Sequence, residues 1–472
     1  MKNNFNINSI FPLDTSNIFR NYQNFSKKLK DSKKRKIIKL AILSVSSTHH
    51  IKKLTELFFL IFGIKAIIYE AKFGQYYEEA VFTNKKLRKF KPDFIWINIS
   101  NKIFNNDNEF EYKKINISTI NKKINEIIYN LQKNYNAQII LNNIDYLNQK
   151  DFNILDRNKN QIYKKIDKIN KNIHKVSSDN FNIKLLDINH ISSSIGLLRW
   201  NSIQDWTQYK YHPSLNSSAY LAYELSSIVK SSLGLDKKCI VLDLDNTLWE
   251  GVIGDIGPEK INYDKNDSIG YSYYRLQCYL KKLKQMGIIL TIVSKNSYEN
   301  VSKIFNDRRL VLKKSDFAKI ICNWKNKDEN ILEIAKSLNI LTESMIFIDD
   351  NPFERNLVSK NIPDIVVLDL PVDHADWIKY IENFNFFYNT HITNEDKNRT
   401  KTLGALQEID KIYKNSPNNY LDYLKSLKMQ VKIFTPSKHN HERTIQLINK
   451  TNQFNLTKKS LNLKDLKVIE KD

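Results

Sequence analysis

The sequence predicts an α/β protein in which two doubly wound parallel-sheet domains are followed by a helical, incomplete C-terminal region. Two observations support this fold class. Short apolar runs alternate with longer amphipathic runs in two separate parts of the chain, a pattern typical of parallel strands connected by helices. The length of 472 residues also exceeds what a single hydrophobic core usually supports. We therefore expect two sheets, each covered by helices.

The strand-like runs fall into two groups of five. Those of the first group lie at 37–45, 64–71, 93–100, 137–144 and 182–188. Those of the second group lie at 237–245, 288–294, 318–322, 344–350 and 364–370. The predicted organisation is a polar lead-in (1–35), a first α/β domain (36–200), a bridging segment with a helix that stops at Gly234 (201–236), a second α/β domain (237–372) and a C-terminal part (373–472). In that last part, helices are expected at 376–391, 418–428 and about 441–450, and a strand at 429–435.

The composition excludes several classes of protein. Hydrophobic residues make up 41% of the chain, enough for packed cores, and no run has the form of a membrane span or a signal peptide. The three cysteines are too few and too scattered for a disulfide framework or a zinc site. The net charge of +23 suits anionic partners, but no nucleic-acid-binding motif accompanies it. We expect a cytoplasmic protein with no membrane and no nucleic-acid partner.

Carboxylates follow two strands of the second predicted domain. Asp243 and Asp245 lie where its first strand ends, and Asp349 and Asp350 end its fourth strand. Ligands of parallel sheets bind at the carboxyl ends of the strands, so these side chains are expected to converge. Asp243 is then placed as a nucleophile on a phosphoryl group, and Asp245 as the acid and later the base. Because clustered carboxylates need a cation and Mg²⁺ prefers oxygen ligands, all four are predicted to contribute to a Mg²⁺ site.

Polar residues near these carboxylates complete the predicted site. They could donate to phosphoryl oxygens or neutralise the charge that develops during transfer. The predicted phosphate contacts are Thr247, Ser294, Lys295, Asn296 and Lys327, with Lys325 as the alternative to Lys327. A single Asp at a strand end is more often a turn or helix-cap residue. Four signals follow one another here: DLDNT (243–247), SKN (294–296), a lysine and the Asp349-Asp350 pair. Together they favour a phosphate and metal site instead.

The phrases that contain these residues resemble a known family. DLDNTLWEGVIGDIG (243–257), SKN (294–296), NWKNKDENILEIAKSLNI (323–340) and FIDDNPFER (347–355) are similar to the haloacid dehalogenase (HAD) phosphatases, and closest to their FkbH-like subgroup, class IIIC. The resemblance implies a Rossmann-like domain and a Mg²⁺-dependent phosphatase. It implies Asp243 as phosphoryl acceptor, Asp245 as acid and base, Ser294 and Lys327 as phosphate contacts, and Asp349 and Asp350 as Mg²⁺ partners.

One residue departs from the family pattern. Glu250 stands where a glycine usually follows the Trp, which places the fit of the substrate there in question.

The short distance in sequence from Asp243 to Ser294 leaves few residues for an inserted lid. We therefore expect a largely uncapped site that admits a large substrate, including the arm of a carrier protein.

The resemblance extends to both sides of this domain. Residues 40–100, with EAKFGQYYEEA (70–80) and KPDFIWINIS (91–100), look like the SGNH-hydrolase-like, flavodoxin-like domain often attached to FkbH-like proteins. QLINKTNQFNLTKK (446–459) looks like the opening of an acetyltransferase-like domain, which we expect to be incomplete because the chain stops at Asp472.

The resemblance also implies a substrate class and a partner. Longer relatives dephosphorylate an acyl phosphate, 1,3-bisphosphoglycerate, and transfer the glyceryl group to an acyl carrier protein through a cysteine thioester. A small phosphorylated or acyl-phosphate metabolite is therefore the expected substrate, and an acyl carrier protein a candidate partner, in secondary-metabolite or surface-polysaccharide biosynthesis. Cys239, Cys278 and Cys322 lie in apolar or helical stretches, where inert packing is expected, so the transfer step is the weaker part of this prediction.

Two alternative functions remain open from the sequence. The first domain could be an SGNH-type esterase, because SVSST (44–48) follows its first strand and Asp187 and His190 have the Asp-x-x-His spacing. The GDS phrase of that family is absent, and a histidine such as His190 is more often a loop residue. The second alternative is a non-catalytic scaffold that docks a carrier protein. The intact acidic pairs count against it, because clustered carboxylates are costly to keep without a metal or a substrate.

Overall fold

The protein is described by a computed structural model that covers residues 10–30, 36–82, 84–104, 116–148, 162–388, 433, 441–450, 466 and 468–470. The chain divides into two compact units, one formed by Met1–Gly234 with Thr435–Asp472 and the other by Leu235–Phe434. The helix predicted at 418–428, the strand predicted at 429–435 except for residue 433, and the acetyltransferase-like phrase beyond Lys450 lie outside the described residues.

The first unit contains a five-stranded sheet with the spatial order β2-β1-β3-β4-β5. Its strands are β1 (Lys36–Ser44), β2 (Ile64–Glu70), β3 (Phe94–Asn98), β4 (Gln138–Asn142) and β5 (Ile183–Leu186). All neighbouring strands are parallel. Every residue of β3 is buried, which explains its continuous apolar sequence, since an inner strand of a parallel sheet is covered on both faces.

Helices connect these strands. They are α1 (Thr15–Arg20), α2 (Tyr22–Lys30), α3 (His49–Ile61), α4 (Tyr76–Val81), α5 (Lys85–Phe90), α6 (Ile117–Asn134), α7 (Ile162–Asp179), α8 (Ile188–Ile195), α9 (Leu197–Trp200), α10 (Ile203–Tyr209) and α11 (Ser218–Ser232). The longer ones are amphipathic: α6 buries Ile124, Ile127, Ile128 and Leu131, the helical spacing that forms one apolar face. That face packs in the core with the strands.

The second unit contains another five-stranded parallel sheet, with the order β10-β9-β6-β7-β8. Its strands are β6 (Cys239–Leu242), β7 (Ile289–Ser294), β8 (Phe317–Cys322), β9 (Met345–Ile348) and β10 (Val366–Val367). Its helices are α12 (Ile253–Ile256), α13 (Ser268–Gln285), α14 (Tyr298–Phe305), α15 (Lys327–Leu338), α16 (Pro352–Asn361) and α17 (Trp377–Asn383). The predicted fold class, with two parallel-sheet α/β domains, is therefore confirmed.

Each sheet has one point at which the direction of winding reverses. In the first unit the chain runs from β1 outward to β2 and then returns to β3, on the other side of β1. In the second unit it runs from β6 through β7 to β8 and returns to β9, on the other side of β6. Ligands of open α/β sheets bind at such a switch point, outside the carboxyl ends of the strands.

The segment predicted to bridge the domains (201–236) forms α10 and α11, and α11 belongs to the first unit. This helix is buried on most of its surface, although it contains several serines. Ser226 and Ser227 satisfy their buried hydroxyls by donating to the carbonyls of Ala222 and Tyr223, at 2.7 and 2.9 Å. Serine is therefore compatible with a core position here.

The C-terminal side of the second sheet differs from the prediction. The helix expected at 376–391 ends at Asn383, because Asn385 adopts a left-handed backbone conformation (φ 49°) and Phe384 stacks on Phe386. The helix expected at about 441–450 is present as α18 (His441–Lys450). Among the described residues, no helix combines the length and apolar character needed to cross a membrane.

Candidate active site

The switch point of the second sheet brings acidic residues together. Asp243 directly follows β6, and Asp349 and Asp350 directly follow β9. The register pairs Leu242 with Ile348, and the Asp243 amide donates to the Ile348 carbonyl at 3.0 Å. The two strands therefore end side by side, and their next residues must be neighbours.

Three carboxylates converge at this edge. Asp243, Asp349 and Asp350 each offer an oxygen within 4.8 Å of the others. Asp349 is fully buried, and the buried Oδ1 of Asp243 accepts no hydrogen bond from the residues that the structure describes. Since buried acceptors are normally satisfied, this oxygen marks a place for a cation or an electrophile. Hard oxygen donors in this number suit Mg²⁺, which usually keeps several waters.

Lys327 provides the positive charge within this cluster. It is the first residue of α15, its side chain is only 4% exposed, and its Nζ lies 2.6 Å from Asp349 Oδ2 and 3.0 Å from Asp243 Oδ2. Burial lowers the pKa of Lys327, but the two carboxylates outweigh burial and raise that pKa above its usual value. Lys325, the predicted alternative, is exposed, so Lys327 is the lysine that the fold brings to the site.

One lysine does not compensate the carboxylates. Burial, followed by the negative charge of Asp243, raises the pKa of Asp349 to about 7. The same two causes, in the same order, raise the pKa of Asp350. A divalent cation would reverse this effect, because it stabilises the ionised carboxylates. Within the described part of the chain, Lys327 is thus too little positive charge for three clustered carboxylates, and a divalent cation would supply the rest.

The Asp245 side chain is directed elsewhere. Its Oδ1 accepts from Trp249 Nε1 at 3.0 Å and its Oδ2 from Asn296 Nδ2 at 2.9 Å, and it is not one of the three clustered carboxylates. Of the four carboxylates predicted to bind the metal, three therefore lie together, and a contact of Asp245 with the metal stays a prediction. The pKa of Asp245 is raised, chiefly by burial, and a carboxyl group with a raised pKa suits a role as general acid.

The predicted phosphate contacts are arranged in three ways. Ser294 and Asn296 are both buried, and Asn296 Nδ2 donates to Ser294 Oγ at 3.1 Å, so the amide links Ser294 to Asp245. Thr247 lies on the other side, with its hydroxyl 3.5 Å from Asp350 Oδ1, at the limit of a hydrogen bond. Lys295 points to Glu354 Oε1, at 2.6 Å, so a direct phosphate contact by Lys295 is not what this structure shows.

Some neighbours of the site were not found by sequence reasoning. Glu354 was missed because it lies on α16, one helical turn after the acidic pair, where nothing in the local pattern signals a partner for Lys295. Trp249 could have been found, since it lies four residues after Asp245 in the same turn. His374 was missed because it follows the last strand, and its Nε2 lies 3.0 Å from the Asn246 carbonyl oxygen.

Two of the three cysteines, Cys239 and Cys322, are unsuited to a nucleophilic role. Burial raises the pKa of the Cys239 thiol to about 12. Burial, together with the negative charges of Asp243 and Asp245, also raises the pKa of Cys322 to about 12. A thiol with such a pKa is a poor nucleophile near neutral pH, since the thiolate is the reactive form.

The corresponding edge of the first unit has a different chemistry. Asp187, predicted as a possible esterase residue, accepts instead from the His190 backbone amide at 3.0 Å and caps α8. His190 is exposed. A buried histidine of this unit, His212, has its Nε2 2.8 Å from Asp145 Oδ2. The Asp-x-x-His spacing therefore forms a helix cap here, and the contact between Asp187 and His190 is to the backbone amide rather than to the imidazole.

Of three comparisons with known proteins, the one with solved structures supports the fold. No family model and no curated protein matches the chain. Among solved structures, it is similar to the N-terminal part of the protein BF1531 from Bacteroides fragilis, which contains a phosphatase domain and was complexed with Mg. The identity is 26% and the TM-score 0.69, over 78% of this chain and 99% of that chain.

Two further matches are weaker. One is a GDSL-like lipase from Parabacteroides merdae, with 17% identity and a TM-score of 0.29 over 42% of this chain and 98% of that one. The other is the salicylyl-acyltransferase SsfX3 from a tetracycline biosynthetic pathway, with 13% identity and a TM-score of 0.28 over 43% of this chain and 56% of that one. TM-scores this low carry no functional argument.

Proposed function

We propose that the second unit is a Mg²⁺-dependent phosphatase of the HAD type that acts on a small phosphorylated or acyl-phosphate metabolite. The observation that carries the proposal is the unpartnered, buried Oδ1 of Asp243 beside two further carboxylates and Lys327. A free carboxylate oxygen at a sheet switch point, in a cluster where one lysine faces three carboxylates, is suited to meet both a cation and a phosphoryl group. The similarity to a phosphatase-containing protein complexed with Mg supports the same assignment.

In the proposed reaction, Asp243 Oδ1 attacks phosphorus, and the bond between phosphorus and the leaving oxygen breaks. Asp245 donates a proton to that oxygen. A water molecule then attacks phosphorus of the aspartyl phosphate, Asp245 takes its proton, and phosphate leaves with the Asp243 carboxylate restored. The raised pKa of Asp245 allows it to hold a proton for the first step and to recover one in the second.

Asp243, Asp349 and Asp350 would hold the Mg²⁺ ion. When bound, it supplies positive charge for the phosphoryl oxygens. Lys327 adds a second positive charge and keeps the Asp243 and Asp349 side chains in place. Asn296 holds Asp245 beside Ser294, and we propose that Ser294, Asn296 and Thr247 line the phosphoryl pocket.

A finer version of the proposal concerns the acyl group. If the substrate is an acyl phosphate, a carrier-protein thiol could attack the carbonyl carbon, so that a C–S bond forms, the C–O bond to phosphate breaks and phosphate remains in the site. The absence of a large lid between β6 and β7 supports access for such an arm. Because the thiols of Cys239 and Cys322 have raised pKa values, we propose direct transfer to the carrier rather than a relay through either residue.

The test uses the full chain with Mg²⁺ and acetyl phosphate or p-nitrophenyl phosphate as probes. We expect release of inorganic phosphate and, in Asp245→Asn, a mass increase of one phosphoryl group, because the aspartyl phosphate forms but hydrolyses slowly. Asp243→Asn should show neither result. Asp255→Asn, which changes an exposed carboxylate of the same loop, is the matched control. Phosphate release that survives in Asp243→Asn would contradict the proposal.

A further inference from the structure

His374 joins the catalytic loop to elements that lie outside the strand-end motifs. Its Nε2 is 3.0 Å from the carbonyl oxygen of Asn246 and 3.0 Å from the hydroxyl of Tyr273. Its ring stacks on Trp377, with 4.3 Å between the ring centres and 25° between the planes. Trp377 is buried and donates from Nε1 to the Pro371 carbonyl at 2.8 Å. The imidazole ring is therefore held against a buried, hydrogen-bonded indole.

The contact with Asn246 determines which nitrogen of His374 carries a proton. A carbonyl oxygen only accepts, so Nε2 must be the donor. The Tyr273 oxygen is then a second acceptor for the same N–H group, and the phenol hydrogen points away from His374. Burial, followed by the negative charges of Glu250 and Asp350, raises the pKa of Tyr273, so this group stays a neutral hydroxyl.

Asn246 occupies a demanding position. It lies between Asp245 and Thr247, and its φ of 52° is in the left-handed region, which is sterically unfavourable for a residue with a Cβ atom. Two hydrogen bonds hold this conformation: the Gly251 amide donates to Asn246 Oδ1 at 2.9 Å, and His374 donates to the Asn246 carbonyl. Without the second bond, the carbonyl loses its partner and the turn that aims Asp245 can relax.

Helix α13 supports the same loop. Tyr273 and Gln277 lie four residues apart and therefore on one face of this helix. Gln277 Nε2 donates to the Leu248 carbonyl at 2.7 Å, while Tyr273 meets His374. Gln277 therefore holds the main chain of this loop directly, and Tyr273 reaches the Asn246 carbonyl only through His374.

We propose that His374 is a positioning residue for phosphoryl transfer: it fixes the Asn246 carbonyl and thereby the aim of Asp245, with Tyr273 as its second contact. This inference rests on the proposed function, since it assigns Asp245 the protonation of the leaving group. A fault in the aim of Asp245 should affect a poor leaving group more than a good one, because p-nitrophenolate leaves without a proton and phenolate benefits from one.

The experiment compares kcat/KM for phenyl phosphate and p-nitrophenyl phosphate, in the full chain with Mg²⁺. In His374→Ala we expect a loss of roughly tenfold or more with phenyl phosphate, the size expected of a small misplacement, and a clearly smaller loss with p-nitrophenyl phosphate. His374→Gln keeps an N–H donor at a similar reach and should recover most of the loss. Tyr273→Phe should have the smaller effect of the same kind.

Controls separate positioning from simple loss of fold. His174→Ala replaces an exposed histidine of the first unit and should change neither rate. If His374→Ala lowers both rates by the same factor, or if His374→Gln falls as far as His374→Ala, the positioning role is wrong although the proposed function stands. If the wild-type protein turns over neither aryl phosphate nor acetyl phosphate and forms no phosphoenzyme in Asp245→Asn, the proposed function is itself wrong, and this inference with it.

Discussion

The two units have the same kind of sheet but balance the polar groups at their switch points in opposite ways. In the first unit, β1 and β3 end in Ser44 and Asn98, whose side chains are joined by a hydrogen bond of 2.9 Å, and the nearby acid, Asp145, is matched by donors. In the second unit, β6 and β9 are followed by three clustered carboxylates, with Lys327 as the cation between them. We call the first a closed edge, because its polar groups are paired with one another, and the second an open edge, because one lysine faces three carboxylates there. Similar backbone topologies therefore carry both kinds of edge.

Asp145 and Asp349 show the difference most directly, because both are fully buried. Burial raises the pKa of Asp145, but the charge of His212 and hydrogen bonds from His212, Asn101 and Trp200 outweigh it, and the pKa ends below its usual value. The pKa of Asp349 rises to about 7. Burial does not decide the state of a carboxyl group by itself; the charges and donors around it do. Asp349 also accepts hydrogen bonds, from Lys327 Nζ and the Asn351 amide, but the negative charge of Asp243 beside it keeps its pKa high.

The largest effect is expected from Asp243→Asn, which removes one of the three clustered carboxylate charges in the second unit. Turnover should fall by a factor on the order of 10⁵, as is typical when a nucleophile is removed. Stability without Mg²⁺ should be unchanged or higher, because the charge of Asp243 is one cause of the raised pKa of Asp349. Phosphate release and thermal unfolding of the same sample measure both quantities. A variant that loses activity and stability together would indicate that the cluster is structural.

The next largest effect is expected from Lys327→Met. The substitution leaves buried carboxylates without their cation and should lower the free energy of unfolding by about 3 kcal/mol in the absence of Mg²⁺. Saturating Mg²⁺ should restore part of this loss, since the ion provides positive charge at the same place. Lys325→Met is the matched control, because Lys325 is exposed and two residues away. Equal stabilities of the two variants would show that the Lys327 contacts contribute little.

At the closed edge of the first unit, a substitution should lower stability and leave phosphatase activity unchanged. Asp145→Asn weakens four contacts, with His212 Nε2, Trp200 Nε1 and the backbone and side-chain nitrogens of Asn101. We expect a loss of about 2 kcal/mol in local stability, which hydrogen exchange of β4 would detect as faster exchange. Phosphate release should not change. Asp179→Asn, at the exposed end of α7, is the control, and unchanged protection of β4 in Asp145→Asn would contradict the role of this network.

Much of this architecture could be predicted from the sequence, for identifiable reasons. Parallel strands are buried on both faces, so their apolar runs stand out from the amphipathic helices between them, and all ten runs form strands. The convergence of Asp243 with Asp349 could be predicted as well, because residues that follow neighbouring parallel strands meet at one edge. The placement of both residues at strand ends is enough for this prediction, and the directions of their side chains are not needed.

The remaining details depend on side-chain direction, which periodicity does not encode. Asp245 has the spacing of a ligand, but the indole of Trp249 and the amide of Asn296 hold its carboxylate. Lys295 follows a strand end but pairs with Glu354 on α16. Asp145 and His212 are 67 residues apart and share no local motif. Such contacts form between elements that only the folded chain brings together.

The smallest predicted effect concerns the pH dependence of Mg²⁺ binding at the open edge. With a pKa of about 7, Asp349 holds a proton in the metal-free protein at lower pH, and a cation can bind only when that proton leaves. We expect the apparent Mg²⁺ affinity to be nearly constant above about pH 8 and to fall by about tenfold for each pH unit well below 7. Calorimetry in buffers with different ionisation enthalpies would measure the released proton directly.

The pKa of Asp349 also determines whether the metal-free protein becomes more or less stable as the pH rises. A carboxyl group whose pKa is higher in the folded than in the unfolded chain favours folding while it is protonated, so metal-free stability should decrease as the pH rises from about 4 to 7 and then level off. Saturating Mg²⁺ should remove this decrease. Asp349→Asn is the matched variant: it should abolish proton release on any residual Mg²⁺ binding. Proton release that persists in Asp349→Asn would mean that another group of the cluster titrates, and would shift the assignment to Asp350, whose pKa is also raised by burial and by the charge of Asp243.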